Sequence, residues 1–78
     1  MMFLYCKVID DNAKQRRLKL ESDVETATAT IDKKTWNVKI DGFKDSLKYI
    51  YPKGFVEKFI VSNTQKNPNE MSFAYGRG

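Results

Sequence analysis

The sequence predicts a small α+β domain that is mainly β: an antiparallel meander of four to five strands with one helix in the C-terminal half. A small all-β barrel is the alternative. Three observations lead there. Valine and isoleucine outweigh leucine and alanine, and they are joined by five phenylalanines, four tyrosines and one tryptophan, a mixture that suits half-buried pleated surfaces. Several short segments alternate apolar and polar residues with period two, whereas one later segment repeats at helical spacing. Finally, 78 residues with no internal repeat or linker hold one domain, residues 1–78, whose core is only a few side chains deep.

Residues 2–9 form the first predicted strand, with Leu4, Cys6 and Val8 on one face and Phe3, Tyr5 and Ile9 on the other. Apolar side chains on both faces point to a central strand. A turn over Asp11, Asn12 and Ala13 leads into residues 17–21, where Leu18 and Leu20 alternate inward between Arg17, Lys19 and Glu21.

Residues 25–41 read as a hairpin. A turn over residues 32–35 pairs Ile31 with Trp36, Ala29 with Val38 and Ala27 with Ile40, which collects every apolar side chain on one face. Thr30, Thr28 and Thr26 then stand across from Asn37, Lys39 and Asp41 on a solvated face. Lys33-Lys34 is a poor two-residue primed turn, so a four-residue loop is expected.

Beyond Gly42 two readings compete. Residues 47–51 and 55–61 have strand composition, with Pro52, Lys53 and Gly54 as a turn. Against that hairpin, Phe55, Val56, Phe59 and Ile60 fall at helical spacing, Pro52 suits a first helical turn and Asn63 suits an end. The predicted helix therefore spans 52–63, with Gly54 near its start costing about 1 kcal/mol relative to alanine. Asn67-Pro68-Asn69 is a turn, and residues 71–75 supply a last strand before the Gly76-Arg77-Gly78 tail.

Composition closes most routes to catalysis. With no histidine and one cysteine, no zinc site can be assembled, and the acidic pairs Asp10-Asp11 and Asp23 with Glu25 lack calcium-loop spacing. Serines without a histidine have no activating base, and Cys6, alternating with Leu4 and Val8, reads as a buried structural thiol. No enzyme, cofactor or metal is expected. The lone thiol points to a reducing compartment, the cytoplasm by default. The apolar run at the start is too short for a signal core or a membrane span.

Charge supplies the functional expectation. Net charge is +4, and seven lysines fall between Lys33 and Lys58 against three acids. A second basic cluster holds Lys14, Arg16, Arg17 and Lys19. Phosphate backbones reward such clustering, and exposed aromatics such as Tyr49, Tyr51 and Tyr75 offer stacking surfaces for bases. Trp36, Phe55 and Phe59 are wanted by the core. The expected site therefore consists of Arg16, Arg17, Lys19, Lys33, Lys34, Lys39, Tyr49 and Tyr51, on a non-enzymatic protein that binds RNA or single-stranded DNA through a basic sheet surface. The competing expectation is a protein-interaction module, such as a small phage or mobile-element inhibitor or adaptor, docking an acidic protein surface through a sheet edge or the Tyr49 and Tyr51 patch. Unpaired edges also allow a homodimer.

Overall fold

The computed structural model describes residues 2–22, 25–42 and 54–77. These residues form β1 (Met2–Asp11), β2 (Gln15–Ser22), β3 (Thr26–Asp32), β4 (Val38–Gly42), α1 (Phe55–Lys66) and β5 (Ser72–Arg77). All four strand pairings are antiparallel, in the order β4-β3-β2-β1-β5. The class is mainly β α+β, a four-strand meander completed by a fifth strand beside β1, and the sheet is open rather than closed into a barrel.

Alternation in β1, β2 and β3 decides which face is covered. Leu4, Cys6, Leu18, Leu20, Ala27, Ala29 and Ile31 are buried on one side of the sheet together with Val56 and Ile60 of α1. The helix presents Val56, Ile60 and Thr64 at successive four-residue steps, the spacing that aligns side chains on one helix face. The Thr64 hydroxyl satisfies itself by donating to the Ile60 carbonyl at 2.8 Å. Beside this stripe Phe55 and Phe59 meet Tyr75 edge-on, and Phe59 meets Phe73 at a centroid distance of 5.5 Å. Those contacts fasten α1 to β5, which the register holds against β1 through pairs such as Cys6 with Phe73 and Leu4 with Tyr75. Burial pushes the Cys6 thiol up to about 12, so almost no thiolate exists at neutral pH. Native protein is therefore expected to resist thiol-disulfide reagents and to react fully only when unfolded in guanidinium, as a timed colorimetric assay will show.

The helix starts and ends later than the sequence predicts. Gly54 takes a left-handed conformation, φ 78°, immediately before it. Its carbonyl accepts from the Lys58 N–H at 3.1 Å, so Gly54 makes the helix entry and carries no interior penalty. Asn63 does not end the helix. Its carbonyl accepts from the Asn67 N–H, while its side-chain amide donates to Glu70 at 2.9 Å. The predicted turn comes next: the Glu70 N–H donates to the Asn67 carbonyl at 3.1 Å, with Pro68 at the position its fixed φ favours. Pro52 and residues 43–53 as a whole lie outside the described residues.

The β3–β4 hairpin forms with its register moved by two. Ile31 pairs with Val38, Ala29 with Ile40 and Ala27 with Gly42, and Lys39 and Asp41 stand opposite Thr30 and Thr28. A shift of two keeps every side chain on its expected face, so the hydrophobic pattern cannot distinguish the two registers. Loop chemistry decides instead. The Asp32 carboxylate accepts from the N–H groups of Lys34 and Thr35, the Trp36 N–H donates to the Asp32 carbonyl at 2.7 Å, and the Asp32 N–H donates to Asn37 at 2.9 Å. The four-residue loop is thus 33–36. Trp36 leaves the core position expected for it, taking φ 62° and remaining 38% exposed, a strained backbone for so bulky a residue.

Gly42 sits at φ +106°, and a Cβ there would lie 2.7 Å from the Thr26 carbonyl oxygen and 2.9 Å from the Ala27 Cα. Both neighbours are backbone and cannot rotate away. Gly42→Ala is expected to cost about 2 kcal/mol through strain and overlap, read as a lowered urea midpoint.

Candidate nucleic-acid interface

Among the described residues α1 is the only helix, and it packs against one face of the sheet. Register lays out the opposite face in rows across the strands. Lys39, Thr30, Arg17 and Asp10 form one row. Asp41, Thr28, Lys19, Lys7 and Ser72 form the next, and Thr26, Glu21, Tyr5 and Ala74 the one after. Phe3, 37% exposed, completes Tyr5's side of the face opposite Gly76. Side chains on β5 here are small and exposed, Ser72 and Ala74, which leaves low ground beside the two rings.

Three of the expected site residues, Arg17, Lys19 and Lys39, meet on this face. Lys7 joins them directly opposite Lys19, an arrangement that costs stability because like charges across a strand pair repel. Among the described residues the carboxylates in these rows are Asp10, Glu21 and Asp41. Glu21 lies 3.3 Å from the Lys19 ammonium in an exposed pair, whose strength is modest in water. Asp10 stands opposite Arg17 in register, and Asp41 lies on the edge strand. No ion pair forms at Lys7 or Lys39 among the described residues.

Arg16 departs from the expectation. It shares the inward face with Leu18 and Leu20 and is only 1% exposed. Its Nε and Nη2 donate to the Asp11 carboxylate at 3.3 and 3.4 Å, and Nη2 also donates to the Pro68 carbonyl. Nη1 is buried with no hydrogen-bond partner among the described residues. What brings a carboxylate to this inward arginine is a bulge: β1 shifts register between Val8 and Asp10, so that Asp10 meets Arg17 while Asp11 meets Arg16. One extra residue reverses the facing of the rest of the strand, and Asp11 turns inward where simple alternation would have sent Asp10. Arg16 is a clamp between the sheet and the turn after α1, and it is absent from the exposed basic face.

Lys33 and Lys34 stand at the β3–β4 loop, beyond the end of the rows. The Lys33 ammonium approaches the Asp11 Oδ1 to 2.6 Å, and the Lys33 backbone N–H donates to the Lys14 carbonyl at 2.9 Å, tying the two turns together. The ammonium contact and the Arg16 hydrogen bonds hold the Asp11 carboxyl below the usual carboxylate range. Asp32 is lowered likewise, by the Lys34 and Thr35 N–H groups. Tyr49 and Tyr51 lie outside the described residues. Tyr75 packs against Phe55 and Phe59 on the covered side.

Sequence reasoning passed over Lys7 and Tyr5. The signal was present in the pairing of residues 2–9 with 17–21: once Cys6 is set against Leu20 and Val8 against Leu18, Lys7 must oppose Lys19, and Tyr5 lies two residues away on the same face. Among the described residues no cluster of three or more potential metal ligands occurs, and no helix is long and apolar enough to cross a membrane. Comparison with protein-family models, curated proteins and solved structures finds no match.

Proposed function

We propose that this protein binds single-stranded nucleic acid, RNA or DNA, on the helix-free face of its sheet, and that it does so without catalysis. The observation that carries the reading is the placement of Lys7 against Lys19 in mid-sheet, flanked by Arg17 on one side and by Tyr5 and Phe3 on the other. Two opposed lysines cost a domain with so thin a core some stability, a cost that an anion lying across them would offset. The neighbouring rings offer faces on which bases of any sequence stack. A fluorescent homopolymer of about twelve nucleotides, titrated at about 50 mM salt, is expected to bind at micromolar protein and to weaken steeply toward 200 mM. Absence of binding to every RNA and DNA oligomer at the lower salt would overturn the reading.

A second reading, docking of an acidic protein surface, draws on the other side of the molecule. Strained, half-exposed Trp36 borders a groove of about 290 Å³ shared with Val38, Glu57, Lys58 and Val61, and buried tryptophans commonly anchor interfaces. Under this reading Trp36→Ala abolishes recovery of one stoichiometric, nuclease-resistant partner from the native host. Recovery of nucleic acid alone rejects it.

A further inference from the structure

The end of the sheet holds a second basic feature, distinct from the rows of the open face. The β1–β2 turn and the β3–β4 loop enclose a cleft of about 540 Å³ lined by Ala13, Lys14, Gln15, Asp32, Lys33 and Lys34. It is built, not incidental. The Lys33 N–H to Lys14 carbonyl bond joins its two walls, and each wall is braced by a side chain: Asn12 accepts from the Lys14 and Gln15 N–H groups, and Asp32 from those of Lys34 and Thr35. Lys33 is held against Asp11. Lys14 and Lys34 are left exposed, one from each wall, with no ion pair among the described residues. The opposing charge is the Asp32 carboxylate, whose Oδ1 already accepts those two N–H groups.

The cleft is also continuous with the proposed binding face. A neighbouring hollow of about 280 Å³ shares Gln15 and Asp32 with it and extends past Asn37 to Thr30 and Lys39, the outermost members of the first row. Along β2, the six steps from Glu21, opposite Tyr5, to Gln15 cover about 20 Å at roughly 3.3 Å each. Rings therefore stand at one end of the track, cations in its middle and a two-lysine cleft at its far end.

We propose that this cleft takes a phosphate monoester, the terminal phosphate of a single strand whose bases lie on Tyr5 and whose backbone crosses Lys7, Lys19 and Arg17. A monoester carries about −1.5 to −2 at neutral pH and three acceptor oxygens, so it can engage Lys14 and Lys34 together. An internal diester, with a single charge, answers only one of them. The inference rests on the sheet-face reading for the strand, though not for the phosphate itself.

The test uses oligomers of about eight nucleotides, within single-strand site sizes, matched in sequence and ending in a 5′-phosphate, a 3′-phosphate or hydroxyls alone. One phosphorylated end is expected to bind about 10-fold more tightly than the hydroxyl form, the scale of two charge-assisted contacts. Lys14→Ala/Lys34→Ala should erase that preference while leaving the hydroxyl form within about twofold. Equal binding of all three oligomers, or a preference that survives the double substitution, overturns the proposal. If no oligomer binds, the sheet-face reading fails, and the cleft is judged by titrating inorganic phosphate and a nucleoside monophosphate while recording amide chemical shifts. Shifts centred on Lys14 and Lys34 that are lost in the double variant sustain the cleft as a phosphate site; unperturbed amides there overturn it.

Discussion

Asp11→Ala is expected to destabilise the fold by about 3 kcal/mol, well beyond an ordinary surface truncation, because it strands a buried cation. Arg16 is 1% exposed, and Asp11 is its carboxylate partner. Removing that carboxylate leaves a guanidinium out of water with the Pro68 carbonyl as its acceptor, and the Lys33 ammonium, also deprived of Asp11, repels it from nearby. Arg16→Met should behave differently, since an apolar chain of similar length removes the charge along with its need for a partner, and such replacements cost little or even stabilise. The variant carrying both changes should therefore regain most of what Asp11→Ala loses. Urea midpoints at constant slope make the comparison; equal losses for the two single variants would show the guanidinium to be a net stabiliser. The pH dependence carries the same logic. Asp11's folded pKa lies below its unfolded value, so its contribution is fully present above the ordinary carboxylate range and is lost as pH falls through the folded value. Native protein should weaken below about pH 4, and the double variant should weaken less, with Asp32, also held low, contributing to the slope that remains.

What could be read from the chain, and what could not, divides along physical lines. Strand faces were legible because alternation is a local property: Leu18, Leu20, Ala27, Ala29 and Ile31 are buried as their spacing requires. Register was legible only up to multiples of two. The hairpin slip that moves Val38 opposite Ile31 leaves the pattern intact, and only the hydrogen-bonding appetite of Asp32 over the next three residues breaks the tie. The helix was found by its spacing, yet its start was misplaced because glycine reads as a weak interior residue when its left-handed conformation makes it a boundary. Arg16 shows the deeper limit. On sequence alone the strand begins at residue 17, and Arg16 stands among the exposed cations by its charge. In the fold β2 starts at Gln15, and spacing from Leu18 and Leu20 turns Arg16 inward, to a carboxylate supplied by a bulge at Ile9 that nothing in the local composition announces. Of the expected basic site, the sheet gathers Arg17, Lys19 and Lys39, buries Arg16, and sets Lys33 and Lys34 apart at a turn.

Replacing Lys7, Arg17 and Lys19 together with alanine should separate a binding face from a merely solvated one. If each meets a phosphate of a single strand, the slope of log affinity against log salt falls by about 2, roughly 0.7 for each lost contact. The fold should meanwhile gain or hold stability. Lys7→Ala alone relieves the repulsion between paired lysines, a gain of about 0.2–1 kcal/mol. Opposite signs are the useful outcome, because lysines that only keep the surface wet would give the same gain in stability with no change in binding. Two further variants locate the face. Tyr5→Ala should cost about 1–3 kcal/mol of binding by removing a stacking surface, with little change in salt slope since no charge is lost. Arg16→Met should leave both slope and affinity near native values, because its guanidinium faces the core and the Pro68 carbonyl. A slope that falls as far for Arg16→Met as for Arg17→Ala would place the nucleic acid somewhere other than the open sheet face, and the role assigned to Lys7 would fall with it.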